Sequence, residues 1–311
     1  MKTRQLGRSG LTVSEVGLGC NNFGGRLDLD GTREVIHAAL DAAITLFDTA
    51  DIYGNLGGSE TMMGQVLRGK RDEIVLATKF GMNMQTGDVA RGSRRYVRRA
   101  VEASLRRLQT DHIDLYQIHE PDANTPIEET LAALDELVRE GKVRYIGSSN
   151  FAAWQLAEAE LVARAQGRER FVSAQNLYSL LRREVEAELI PAAEHFGVGI
   201  LPFYPLAAGL LTGKFRRGEA PPAGTRLAAR PSEVETANFD LIEDLEAFSK
   251  SRGIGLTDLA FAWLLGNPNV SSVIAGATSA EQIRANVAAG SHRLDSDSME
   301  EIRGILDRYA A

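Results

Sequence analysis

The chain has one cysteine, Cys20, among 311 residues. That excludes an internal disulfide framework and any cysteine-based metal cluster, and it fits a reducing compartment. Positive charge is also short: 35 Lys and Arg against 42 Asp and Glu leave a formal charge of −7, and no Lys/Arg-rich block offsets it. A negative surface repels phosphate backbones, so nucleic acid is not an expected partner. Long apolar runs are missing too. The longest, residues 198–211, falls short of the ~20 residues a bilayer requires and is broken by Pro202 and Pro205. The opening residues, Met1-Lys2-Thr3-Arg4-Gln5-Leu6-Gly7-Arg8, carry no apolar signal core. The expectation is a cytoplasmic protein without a membrane partner. No low-complexity segment or interdomain linker divides the sequence.

What is present is a repeating pattern: a short apolar, β-branched run, a polar loop, then a longer amphipathic stretch. The strand-like runs are Val16 to Leu18, Ile44 to Phe47, Ile74 to Thr78, Ile113 to Ile118, Val143 to Ile146, Val172 to Ala174, Val198 to Leu201 and Ser272 to Ile274. Several are continuously apolar, as expected of strands covered on both faces. Apolar residues at three- and four-residue spacing predict helices over Thr32 to Ala43, Ser59 to Leu67, Arg94 to Leu108 and Ile127 to Arg139. The series continues over Phe151 to Leu161, Val185 to His195, Phe239 to Ser251, Ala280 to Ala288 and Met299 to Tyr309. Ser93 suits a helix N-cap, and Gly141 suits a helix end. Eight alternating strands argue for a parallel sheet, and eight closes a barrel; a doubly wound sheet is the rival. Residues 4–15 read as a hairpin turning at Arg8-Ser9-Gly10. Residues 212–238, rich in Pro, Gly, Arg and Ala, read as a long loop. The whole chain, 1–311, is expected to form one α/β domain.

Polar residues gather just past the carboxyl ends of these strands: Asp48 and Tyr53-Gly54, Lys79, His119, Ser148-Ser149-Asn150, and Gln175-Asn176. In an α/β barrel those ends share one face, where active sites are built, so Asp48, Tyr53, Lys79 and His119 would converge. A tyrosine, with a pKa near ~10, is a poor acid until a nearby cation stabilises its phenolate. Lys79 can supply that charge, Asp48 can hold the ammonium, and His119 can bond a substrate oxygen or join a proton relay. This suits protonation of a carbonyl oxygen. No side chain delivers a hydride, so reduction needs an external carrier such as a nicotinamide. Taken singly, Lys79 and Asp48 also suit a structural ion pair, His119 a packed core histidine and Tyr53 a loop aromatic. Their joint placement favours function.

Phe47-Asp48-Thr49-Ala50-Asp51-Ile52-Tyr53-Gly54, then Gly58-Ser59-Glu60 and Thr78-Lys79, resembles the signature of the aldo-keto reductases. So do Ile113 to His119, Lys142 to Phe151, and Gly209-Leu210-Leu211-Thr212-Gly213-Lys214. The matches run in order over nearly the whole chain. The resemblance implies a (β/α)8 TIM barrel with an N-terminal β-hairpin and long substrate and cofactor loops, reducing aldehydes or ketones with NAD(P)H. It implies an Asp48-Tyr53-Lys79-His119 tetrad. Tyr53 would be the general acid, lowered in pKa by Lys79; Asp48 would support Lys79, and His119 would orient the carbonyl. Ser149, Asn150 and Gln175 stand where the family holds the nicotinamide carboxamide. Alignment on Pro205-Leu206 puts Phe203 at the ring-stacking position, beside Tyr204. Lys214 and its loop would reach over the pyrophosphate. The last cofactor element runs from Ile274 to Ser279, including Gly276 and Thr278, with Gln282 and Asn286 on the next helix. Gly276 and Gln282 replace the basic residues that many relatives use for a 2′-phosphate. NADPH is the family default, and NADH or dual use stays open. Arg284 reads as a surface residue.

Other motifs carry less. Gly17-Leu18-Gly19 lacks the third glycine of a dinucleotide fingerprint, Gly209 to Lys214 is one residue short of a P-loop, and Cys20 reads as a small packed residue. Two further readings remain: a cofactor-binding regulatory protein resembling the potassium-channel β subunits, and a Schiff-base aldolase using Lys79. The substrate is expected to be a small carbonyl compound chosen by residues 21–30, 83–91 and 212–238. With one helix-like stretch after Ala288, the site is expected to be open and broadly accepting. Nothing in the sequence sets an oligomeric state.

Overall fold

A computed structural model describes residues 1–309. A hairpin of β1 (Thr3–Gln5) and β2 (Thr12–Ser14) precedes the barrel strands β3 (Val16–Gly19), β4 (Leu46–Asp48), β5 (Val75–Phe80) and β6 (Ile113–Ile118). They continue as β7 (Val143–Ser149), β8 (Phe171–Leu177), β9 (Gly199–Phe203) and β10 (Val273–Gly276). The eight lie parallel in the order β10-β3-β4-β5-β6-β7-β8-β9. An isolated parallel bridge between Ile200 and Val270 brings the two edges almost to closure. This is the (β/α)8 barrel, not the doubly wound sheet.

Pleating explains how the site is aimed. Along a strand alternate side chains point to opposite faces, so Leu46, Ala77, Leu115, Leu201 and Ile274 fill the barrel interior. Leu6 and Val13 of the hairpin plug the floor beneath them. Two residues further along the same inward faces come Asp48, Lys79 and Gln117. The neighbours between them face outward, into the layer covered by helices. Covering on both sides is why these strands are continuously apolar rather than alternating.

The helices are α1 (Leu29–Asp41), α2 (Tyr53–Val66), α3 (Arg94–Leu108), α4 (Ile127–Arg139), α5 (Ala153–Ala165) and α6 (Leu189–Phe196). After them come α7 (Pro231–Glu235), α8 (Phe239–Ser251), α9 (Leu256–Gly266), α10 (Ala280–Ala289) and α11 (Ser296–Asp307). α3, α4 and α8 have the expected bounds. Ser93 caps α3, its side chain accepting from the amide of Tyr96, and Gly141 takes φ +76° just past α4. No helix among the described residues is long and apolar enough to cross a membrane.

Three readings need correction. The barrel strands run one to three residues further at several carboxyl ends than their apolar cores suggested, so Asp48, Lys79, Ser149 and Gln175 sit on strands rather than past them. Parallel pairing continues across polar residues when both neighbours do. The expected loop over 212–238 holds α7 and a 3-10 turn, Arg226–Ala229, anchored by buried Leu227 and Val234. α9 was not expected at all. Leu256, Leu259, Phe261, Trp263, Leu264 and Leu265 are all buried, and a helix apolar all round has no amphipathic period to detect.

Candidate active site

Lys79 on β5 is fully buried. Its Nζ donates to Asp48 Oδ2 at 2.7 Å and to the carbonyl of Thr49 at 2.8 Å, and lies 5.0 Å from the centroid of the Tyr53 ring. The other oxygen of Asp48, Oδ1, accepts from Gln175 Nε2 at 2.9 Å and Gln117 Nε2 at 3.4 Å. Groups from β4, β5, β6 and β8 therefore fix one carboxylate, and that carboxylate fixes the ammonium. Burial pulls the Lys79 ammonium down, but Asp48 and the Tyr53 phenol outweigh it and hold its pKa raised. Lys79 remains a cation.

Tyr53 begins α2 and meets His119 edge to face, with ring centroids 5.6 Å apart. Burial pushes the phenol up from its ordinary range; Lys79 pulls it back by charge and hydrogen bonding, and Asp48 pushes it up again. The balance is upward, against the expectation of a lowered pKa. The reason is physical: Asp48 already neutralises Lys79, so the ammonium cannot repay the full cost of drying a phenolate. His119 is pushed down to about 3, by burial first and Lys79 second, so its imidazole is neutral at physiological pH. Its Nδ1 is buried without a partner, which leaves Nε2 to the cavity.

That cavity, about 720 Å³, opens above the tetrad. Asp48, Tyr53, His119, Ser149, Asn150, Gln175, Phe203, Tyr204, Leu206, Lys214, Gly276, Thr278, Gln282 and Asn286 all line it; Lys79 lies beneath. Asn150 Nδ2 donates to the carbonyl of His119 at 2.9 Å and to Ser149 Oγ at 3.1 Å. Asn176 turns away, donating to the carbonyl of Phe151. Phe203 is half-buried and Tyr204 exposed, the rings 5.5 Å apart. A Cβ on Gly276 would come within 3.3 Å of Asn22 Nδ2, so the glycine lets the β3–α1 loop close in. Gln282 Oε1 accepts from the amide of Thr278 at 2.8 Å.

Sequence reasoning missed the residues that close the top. Arg226 lies 5.0 Å over the ring of Tyr204 and donates to the side-chain oxygens of Asn21 and Asn22, both at 3.3 Å. Arg26 donates to the carbonyl of Gly224 at 2.6 Å. The arginine content of two loops was the sole signal. With Lys214, they put three cations on a lining whose single carboxylate, Asp48, is already paired. Arg26 and Arg226 bond neutral oxygens, so their charge stays available. The cavity is an anion-attracting chamber in an acidic chain, with the Tyr53 phenol at its base. The residues fit a dinucleotide: cations for phosphates, and the amide and hydroxyl groups of Ser149, Asn150 and Gln175 for a carboxamide.

Comparison with known proteins agrees in family. The chain is 40% identical over 98% of its length to YrpG, an uncharacterised oxidoreductase of Bacillus subtilis, covering 96% of that protein. It is 36% identical over 93% of its length to a probable voltage-gated potassium channel subunit beta of rice, Oryza sativa, covering 91%. It is 34% identical, again over 93%, to the L-glyceraldehyde 3-phosphate reductase of Escherichia coli, covering 87%. The family model for the Aldo/keto reductase family matches residues 15–307. With the barrel, the buried Asp48–Lys79 pair and the aromatic at its edge already in place, the chain belongs to the aldo/keto reductase family.

Proposed function

We propose that this protein reduces aldehydes or ketones to alcohols with NAD(P)H, Tyr53 acting as general acid. The observation that carries the reading is the ammonium of Lys79, 2.7 Å from Asp48 and 5.0 Å from the Tyr53 ring centre, buried at the base of a cation-lined cavity. The chemistry that a nicotinamide would supply when bound is a hydride for the carbonyl carbon. Tyr53 gives its proton to the carbonyl oxygen, and Lys79 stabilises the phenolate left behind until solvent reprotonates it. Neutral His119 donates a hydrogen bond from Nε2 and fixes the carbonyl edge. Ser149, Asn150 and Gln175 would orient the nicotinamide carboxamide, and Phe203 or Tyr204 would cover its ring. Arg26, Lys214 and Arg226 supply charge for the pyrophosphate that NADPH and NADH share; NADPH is proposed as the family default, with NADH or dual use the alternative. The substrate proposed is a small-molecule carbonyl compound.

The Schiff-base reading is opposed by the same geometry, because a fully buried, doubly hydrogen-bonded ammonium is no free amine nucleophile. The channel-subunit relative keeps a second reading alive: a binding protein with slow turnover. The deciding experiment follows absorbance of NADPH and of NADH, side by side, with a panel of small aldehydes and ketones. Carbonyl-dependent oxidation of either supports the reductase. Tight dinucleotide binding with no turnover across the panel supports the regulatory reading instead.

A further inference from the structure

A second buried polar group lies behind the tetrad, on the outward faces of β5 and β6, and the proposed reaction leaves it unused. Glu60 on α2 is fully buried and saturated: Oε1 accepts from Thr78 Oγ at 2.6 Å and Oε2 from Arg107 Nε at 2.7 Å. The second arm of Arg107 donates to Ser104 at 3.3 Å. Asp51, 2% exposed, receives none of these donors: its Oδ1 is buried without a partner. The hydroxyl of Tyr116, on β6, is buried and unpartnered as well. An ionised carboxylate with an empty oxygen, set near a second buried carboxylate that holds the local guanidinium, is costly; a neutral acid is not.

Asp51 also sits on the loop that delivers the proton donor. Its amide donates to the carbonyl of Lys79 at 3.0 Å, the amide of Thr49 to the carbonyl of Ala77 at 2.9 Å, and the amide of Tyr53 to the carbonyl of Ala50 at 3.1 Å. The Asp48-to-Tyr53 segment is thus laid along β5, pinned above by Lys79 and behind by Asp51. We propose that Asp51 is a positioning residue that serves as a neutral carboxylic acid, and that its ionisation unseats the Tyr53 loop and turns reduction off in mildly alkaline solution. The inference rests on the reductase reading for its kinetic part alone.

The facing groups agree. Burial first, then Glu60 from α2, push Asp51 up to about 8, while Arg107 from α3 and Lys79 from β5 pull it back. Tyr96 from α3 and Tyr116 from β6, both coupled to Asp51, are themselves raised and stay neutral. A carboxyl raised from 3.8 contributes its full stability below that pH and loses it as pH climbs to about 8. Tyr53 loses its proton only above its ordinary 10. Of the two, Asp51 is the first to give up its proton as pH rises.

The test compares wild type with Asp51→Asn, which keeps the size and cannot ionise, in kcat against pH with one small aldehyde and NADPH. Melting temperature against pH is read without any ligand. Wild-type kcat should fall about ten-fold per pH unit above a midpoint near 8, whereas Asp51→Asn should hold within about two-fold up to pH ~9.5. The two melting curves should meet below pH 3.8, draw apart as pH climbs to about 8 and run parallel above it, the variant the more stable. Glu60→Gln, which removes the repelling charge, should move the wild-type midpoint to lower pH. Identical alkaline midpoints in wild type, Asp51→Asn and Glu60→Gln would overturn the proposal. Should neither protein reduce any carbonyl, the reductase reading fails, and the melting curves still decide the state of Asp51.

Discussion

Lys79 reaches the chamber from beneath, its ammonium spent on Asp48 and the Thr49 carbonyl, and so it polarises Tyr53 without being open to substrate. In the proposed reaction this division of labour leaves Tyr53, on the cavity lining, to give up the proton. Tyr53→Phe keeps the ring, its packing on His119 and the cavity lining. Reduction should fall by about 10²-fold or more, while dinucleotide affinity, read by fluorescence titration, stays within about three-fold. Near-wild-type turnover in that variant would remove Tyr53 from the role. The spacing of Asp48, Tyr53, Lys79 and His119 was legible from chain order, because each follows an apolar run. The upward balance at Tyr53 was not, since it depends on how much water the fold excludes and on Asp48 already cancelling the ammonium.

Elements were readable where their two faces differ. α3 and α4 bury one stripe and expose the other, and their bounds followed from period and caps. α9 buries its whole circumference between α8, α10 and β10, so its sequence looks like any apolar run. Its energetic weight is correspondingly large. Phe261, on α9, is wholly buried, and Phe261→Ala should cost about 3–5 kcal/mol, read as a lower urea midpoint with the slope retained. A loss under about 1 kcal/mol would mean α9 is not the packed inner helix described here. The same contrast explains the strand ends: register with neighbours extends β5 and β8 through polar Lys79 and Gln175, which no single-strand pattern announces.

Across the whole molecule, a chain of formal charge −7 concentrates Arg26, Lys214 and Arg226 on one cavity wall. Such focusing steers anions inward through an otherwise repelling surface. Raising salt from ~0.01 to ~0.5 M, which shortens the screening length from ~30 Å to well under ~10 Å, should slow NADPH association about ten-fold or more in stopped-flow fluorescence. Arg226→Gln should flatten that dependence. A salt-independent rate in the unaltered protein would show that the cavity field plays no part in capture.

The amino-acid sequence alone determined the order of strands and helices, the hairpin beneath them, and which polar residues stand at the strand ends. Those properties follow from local periodicity and from the rule that a parallel barrel gathers one end of every strand. Tertiary structure decided what depends on distance between remote segments. It set two loop arginines over the cavity, hid α9, raised rather than lowered the Tyr53 phenol, and left the Asp51 carboxyl dry beside Glu60. Charge, solvation and like-sign crowding act through space, and space is what a linear pattern does not contain.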